Sequence, residues 1–469
     1  MRTSLGLCCI LLSIFSATAV AAPNFVVFFV DNLGNGDLAC FGSTLHRTPN
    51  IDRLAAEGTK FTSFYVASGV CTPSRAALMT GCYPRRVSMH VSDKNTAVLQ
   101  PLAKKGLHPQ EDTIADVLSR ANYVTGIFGK WHLGDQPEFL PTRQGFDEFW
   151  GIPYSDDMTK DKSPDTWPEL PLMQNERVIE APTDRDYLVK RTTKEVIAFI
   201  ERNRSRPFFA YIPHTMPGST KHPFSSPDFR GKSKNGDYGD SIEELDWSTG
   251  EIMATLKRLG LDENTIVIWT SDNGAVQRQP VQGSGAPYRG QGYDTSEAGM
   301  RMPCIMRWPG KIPAGRVQDE LCTTMDLLPT FAKLAGGELP AKSIDGRDIS
   351  SLILDVPGAR SHWDESGFGY YRMEQLQAVR SGPWKLYLPL ENKYIALNRR
   401  SEAATLQLYN LREDVHEDHE VSIQHPDVVD RLTLLASRIR EQIGDMDQSG
   451  TGQRPAGWVE NPQPLLPLP

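Results

Sequence analysis

The order of apolar segments constrains this chain more than any other feature. Residues 24–31, NFVVFFVD, form a continuous apolar run that stops at a carboxylate. That is the pattern of a strand buried on both faces. A capped helix then reads from Thr48-Pro49 through Ile51, Leu54 and Ala55 to Gly58. Three times afterwards a helical pattern precedes such a strand: residues 113–120 before 124–128, 187–201 before 207–212, and 243–259 before 265–270. These repeats predict an α/β fold, a large mixed and mostly parallel sheet flanked by helices. Asp31 closes the first strand, Lys130 and His132 follow the second, His214 the third and Asp272 the fourth. Ligands of open α/β sheets bind beyond the carboxyl ends of the strands, so four distant segments are expected to converge on one edge.

Past residue 360 the character changes. Residues 376–389 and 405–409 read as antiparallel strands, residues 428–443 as a helix, and the tail from Gly450 as extended. The expected division is a signal peptide over 1–22, a catalytic domain over 23–360 and a smaller α+β C-terminal subdomain over 361–469. The signal peptide rests on Arg2, the apolar run from Leu5 to Val20 and the small residues ending at Ala21-Ala22. It predicts export, to a periplasm or the exterior, or along a secretory or lysosomal route in a eukaryote. No later segment reads as a membrane span. The net charge of -8 and the lack of a basic run argue against a nucleic-acid partner.

Cysteine usage singles out one residue. Of seven Cys, Cys8 and Cys9 leave with the signal peptide, and no CxxC pair occurs. Cys40, Cys71, Cys82, Cys304 and Cys322 remain, an odd number. Four of them could be bridged or simply buried, while Cys71 opens the most specific segment of the chain, CTPSRAALMTG over 71–81. Thr72 is expected to cap a helix, Pro73 to sit in its first turn and Gly81 to end it. Cys71 then lies at a helix start, where an anion is favoured. The residues alone leave two readings open: an ordinary cysteine in a capped helix, or a thiolate nucleophile.

Cys71-Thr72-Pro73-Ser74-Arg75 resembles the C-x-P-S-R signature of the formylglycine-dependent sulfatases, of the arylsulfatase A-like type. The resemblance continues in order through Asp31-Asn32-Leu33-Gly34, Gly129-Lys130-Trp131-His132-Leu133-Gly134, Ser271-Asp272-Asn273-Gly274, Gly299-Met300-Arg301-Met302-Pro303 and Leu408-Tyr409-Asn410-Leu411. It implies an alkaline-phosphatase-like fold. It also implies a sulfuric ester hydrolase acting on a sulfated carbohydrate or an aryl sulfate. A separate maturation enzyme would convert Cys71 to formylglycine (3-oxoalanine), whose hydrate attacks sulfur and forms a covalent sulfate intermediate.

The resemblance also implies the site. Asp31, Asn32, Asp272 and Asn273 would hold Ca²⁺, for which oxygen donors are suited. Arg75, one helical turn beyond Cys71, would steady the diol and the metal-loop carboxylates. Lys130 would face sulfate oxygens. His132 would take the proton that triggers sulfate elimination, and His214 would bind sulfate and protonate the leaving oxygen. Two positions depart from the family pattern. Asn32 stands where a second aspartate is usual, and Gln291 lies where a lysine is often found, with Arg289 or Lys221 as candidates for the missing charge. The alternatives are a phosphoesterase or phosphonate monoester hydrolase on the same fold, and a non-catalytic binding homologue. Residues 154–165 and 215–237 are the expected specificity loops.

Overall fold

In the computed structural model, which describes residues 22–278, 282–390 and 405–466, β1 (Asn24–Val30) lies inside the main sheet, paired in parallel on both sides. Apart from Ala22, the expected signal peptide falls outside the described residues. The strands that follow are β2 (Thr59–Tyr65), β3 (Lys105–Gly106), β4 (Val124–Lys130), β5 (Glu148–Ile152), β6 (Leu172–Gln174), β7 (Arg177–Glu180), β8 (Phe208–Ile212), β9 (Thr265–Ser271), β10 (Arg301–Arg307), β11 (Arg316–Gln318) and β12 (Cys322–Thr323). The sheet runs β11-β2-β10-β9-β1-β8-β4-β5-β6-β7, with β12 beside β2. Pairing is parallel from β9 through β1, β8 and β4 to β5, and antiparallel at β10 and at β6 and β7. The four strands whose ends carry the expected chemistry are therefore consecutive neighbours.

The alternation along β1 explains its unbroken apolar sequence. Phe25, Val27 and Phe29 enter one core with Ala76, Ala77, Leu78 and Met79 of α2 (Cys71–Thr80). Val26, Phe28 and Val30 enter a second core with Leu188 and Phe199 of α4 (Leu188–Arg202) and Ile242 and Leu245 of α5 (Gly236–Arg258). A strand with helices on both faces needs apolar side chains at both parities. The first layer also holds α3 (Ile114–Arg120) and α7 (Leu327–Ala335).

The antiparallel sheet expected past residue 360 is present. It consists of β13 (Phe368–Arg372), β14 (Gln375–Ser381), β15 (Trp384–Tyr387) and β16 (Gln407–Asn410), and the helix Pro426–Ile443 packs on it. β13 is an addition to the sequence expectation. The tail does more than extend, since Gly457–Trp458 pairs antiparallel with β3. The small sheet meets the large one through a buried ion cluster: Lys385 Nζ lies 2.8 Å from Glu297 Oε1 and 3.4 Å from Glu417 Oε1. Tyr370 donates to the same Glu297 oxygen at 2.9 Å.

All five cysteines among the described residues are unbridged; Cys40 is half-buried and the other four are buried. No helix among the described residues is long and apolar enough to cross a membrane.

Candidate active site

The start of α2 differs in one respect from expectation. Val70 occupies the cap position and no side chain caps the first turn, so Cys71 is the first helical residue. Thr72 lies two positions past the cap, and its hydroxyl instead accepts from the Leu99 amide at 3.1 Å. The helix closes as expected at Gly81, whose φ of 66° lets its N–H reach Ala77 O. All ten residues of α2 are buried, which fixes Cys71 and Arg75 against the end of β1.

Cys71 Sγ lies 3.4 Å from Asp31 Oδ1. Arg75 Nη2 spans two carboxylates, 3.2 Å from Asp31 Oδ1 and 2.6 Å from Asp272 Oδ2. Lys130 Nζ stands 3.0 Å from both Asp31 oxygens and 3.1 Å from Ser155 Oγ. Two buried cations therefore offset two buried carboxylates. Burial alone would raise Asp31, but the Lys130 and Arg75 charges hold it below the usual carboxylate range. Burial and the Asp31 charge push Asp272 up. Burial, then the Asp31 carboxylate, push the Cys71 thiol well above its ordinary value. These neighbours by themselves disfavour a thiolate at Cys71.

The oxygen donors converge. Single ligand atoms from Asp31, Cys71 and Asp272 all lie within 4.8 Å of one another. Asn32 has φ 63°, a left-handed conformation that Asn tolerates better than most residues. Its amide nitrogen donates to Ser219 Oγ at 3.0 Å, its backbone N–H to Asp272 Oδ1 at 3.0 Å, and its carbonyl oxygen accepts from Asn273 Nδ2. Asn273 Oδ1 is buried with no hydrogen-bond partner. An orphaned amide oxygen beside two carboxylates fits a hard cation.

His132 sits at the rim of the cluster with φ 65°. Its Nε2 donates to Leu99 O at 3.0 Å, which leaves the buried Nδ1 with a lone pair and no partner. Burial, then the Lys130 charge, hold the ring well below its ordinary value, so it is neutral with the Nδ1 lone pair unengaged.

His214 is engaged on the α5 side of the sheet. Its Nε2 lies 3.1 Å from Ser248 Oγ of α5, and its ring faces Phe28, in the layer opposite α2. The reason is strand parity: His214 continues the phase of Ala210 and Ile212, both of which face α4 and α5. Arg289 also points elsewhere, donating to Glu417 O at 3.1 Å, and Lys221 is an exposed side chain. Gln291 lines a cleft with Arg278, Tyr288 and His416. That cleft borders the cluster, because Arg278 donates to Ser219 O at 2.5 Å.

Ser155, Asp156, Ser219 and Tyr293 belong to the site without having been singled out. Ser219 Oγ links Asn32 to the Tyr293 hydroxyl, 2.7 Å away. Ser155 and Asp156 follow β5, a parallel neighbour of β4, so the strand-end rule applied once more would have found them. Asp156 is fully buried, and neither carboxylate oxygen has a partner.

Paired cations set against paired carboxylates at one edge of a mostly parallel sheet make a place for an anion beside a hard cation. Comparison with known proteins specifies which. The family model described as Sulfatase matches residues 23–337, and one described as N-sulphoglucosamine sulphohydrolase, C-terminal, matches 293–444. The chain is 40% identical to human arylsulfatase A over 405 residues, 81% of this chain and 77% of that protein. It is 36% identical to the N-acetylgalactosamine-6-sulfatase of Canis lupus familiaris over 386 residues, 79% of this chain and 73% of that one. The solved structure of Ps i-CgsB in complex with k-i-k-neocarrahexaose is 28% identical, with a TM-score of 0.74, covering 89% of this chain and 92% of that chain. The chain belongs to the sulfatase family and is a sulfatase enzyme.

Proposed function

We propose that this sulfatase cleaves sulfate esters of a carbohydrate through a formylglycine derived from Cys71, beside a calcium ion held by Asp31, Asn32, Asp272 and Asn273. The observation that carries the reading is the position of Cys71 Sγ, 3.4 Å from a carboxylate that also binds Arg75 and Lys130. Calcium would supply Lewis-acid polarisation of the sulfate there. Formylglycine would supply a hydrated aldehyde as nucleophile in place of a thiol.

The chain's own residues do the rest. Arg75 fixes both carboxylates and holds α2 to the ends of β1 and β9. Lys130 keeps its charge, because burial, which works against it, is outweighed by the acidic groups around it taken together, Asp31 foremost. It offers that charge to sulfate oxygens. His132 Nδ1 is the free lone pair that accepts a proton. His214 is not assigned the leaving-group proton, since its ring is engaged with Ser248.

A carbohydrate substrate is supported by the sugar-sulfatase relatives and by the saccharide complex among similar folds. The cleft at Arg278, Tyr288 and Gln291 is open and polar, as a sugar site requires. The reading includes export, a maturation enzyme that acts on Cys71, and a division near residue 360 between the catalytic domain and the C-terminal subdomain.

The test is a mass spectrum of the tryptic peptide 61–75 from the native host, with turnover of sulfated sugars, aryl sulfates and phosphate esters side by side. Conversion to formylglycine lowers the peptide mass by about 18 Da. Unmodified cysteine in a preparation that turns over sulfate esters would sink the formylglycine reading. A preference for phosphate esters would sink the substrate class.

A further inference from the structure

The cation site of this chain has a charge deficit and, beside it, a carboxylate with nothing to bind. Asn32 is neutral where a carboxylate would add a negative charge. Asp156 is fully buried, and both of its oxygens lack a partner. Arg185 donates to the Asp156 backbone carbonyl at 3.2 Å and makes no hydrogen bond to its side chain. A buried carboxylate without a partner is costly, and its presence calls for a ligand.

Its direction is set by Gly218. That residue has φ 71°, and a Cβ there would lie 2.7 Å from Thr215 O, 3.2 Å from Asp156 Oδ1 and 3.7 Å from Asp31 Oδ2. Asp156 and Asp31 thus open onto the same small space above a glycine. The segment that carries this glycine is tied to β1 by two backbone bonds, Asp31 N–H to Met216 O at 3.3 Å and Gly218 N–H to Asp31 O at 2.9 Å. The next residue, Ser219, accepts from the Asn32 amide. Asn32, Asp31 and Asp156 are therefore arranged around one turn.

We propose that Asp156 is the third carboxylate of the cation site, supplying the negative charge that Asn32 lacks. The inference rests on the calcium reading above. It predicts that the two positions are interchangeable in charge, because both border Asp31. A divalent ion bound there gains from each carboxylate close to it in a site closed to water.

The experiment is calorimetric titration of the chelator-stripped full chain with Ca²⁺ alone. Four proteins are compared: wild type, Asp156→Asn, Asn32→Asp, and the double variant Asn32→Asp/Asp156→Asn, each checked for folding by circular dichroism. Asp156→Asn is expected to weaken Ca²⁺ at least ten-fold, and the double variant to return to within about three-fold of wild type. Wild-type affinity in folded Asp156→Asn overturns the proposal. If Asp156→Asn does not fold, the double variant decides: restored affinity supports the exchange, and ten-fold weaker binding overturns it. Wild type that binds no Ca²⁺ sinks the calcium reading itself, an outcome distinct from wild type that binds and a variant that does so equally well.

Discussion

Arg75 Nη2 lies 2.6 Å from Asp272 Oδ2, and both side chains are closed to solvent. The same nitrogen reaches Asp31, so one guanidinium joins α2 to the ends of two neighbouring strands. Removing it leaves buried Asp272 without its ion-pair partner and Asp31 with Lys130 alone. Arg75→Ala is expected to cost about 3–5 kcal/mol, the range for breaking a buried pair on one side. Urea unfolding followed by circular dichroism measures this, and a loss below 1 kcal/mol would show that the cluster relaxes into water.

The second ion cluster should behave alike without touching chemistry. Lys385 is fully buried between Glu297 and Glu417. Lys385→Met leaves Glu297 with the Tyr370 and Tyr65 hydroxyls and the longer Arg301 contact at 3.4 Å. A loss of about 3 kcal/mol is expected. The ratio of kcat to KM should hold near wild type in the fraction that remains folded.

Cys71→Ala separates folding from turnover. The side chain is buried and small and donates one long hydrogen bond, to Asp31, so unfolding free energy should change by about 1 kcal/mol or less. Turnover of a sulfate ester should fall at least about 10⁴-fold, the scale for deleting a nucleophile. Substantial residual turnover would place the nucleophile elsewhere.

His214 should count against stability on mild acidification. Burial holds His214 down at about 3, against 6.5 in an unfolded chain. Between those values the unfolded chain takes up a proton that the folded chain refuses, so His214 lowers stability as pH falls below 6.5. The loss is about 1.4 kcal/mol per pH unit, or about 2 kcal/mol at pH 5. His90, also held at about 3 by burial, adds to the loss over the same window. In His214→Gln, the difference in urea stability between pH 7 and pH 5 should shrink by about 2 kcal/mol. An unchanged difference would show that the ring is protonated in place.

Calcium should stabilise the folded chain and chelation should reverse the effect. At a free concentration 100 times the dissociation constant the gain is about 2.7 kcal/mol. A melting temperature that ignores both Ca²⁺ and chelator would contradict an oxygen-lined cation site.

Much of this site was legible in the sequence because strand ends announce themselves. An apolar run that stops at Asp31, Lys130 or Asp272 marks a carboxyl-terminal edge, and those three do meet. Position along a strand is not direction, however. His214 also follows a strand, yet its parity with Ile212 turns it toward α5. Asp156 was passed over because Glu148–Ile152 is short and was not read as a strand, so the strand-end rule was not applied there. β13 was missed because Phe368–Arg372 is short and reads as a strand only beside β14.

The place of β1 bears on how the protein is made. Its two neighbours are β8 and β9, and Asn24 donates to Thr265, 241 residues further along. On the ribosome the segment FVVFFV therefore emerges well before either partner exists. A charge-free apolar strand left waiting can pair with the same strand of another nascent chain. Yield should then depend on how quickly translation reaches residue 271, and on whether a holding factor covers β1 until it does.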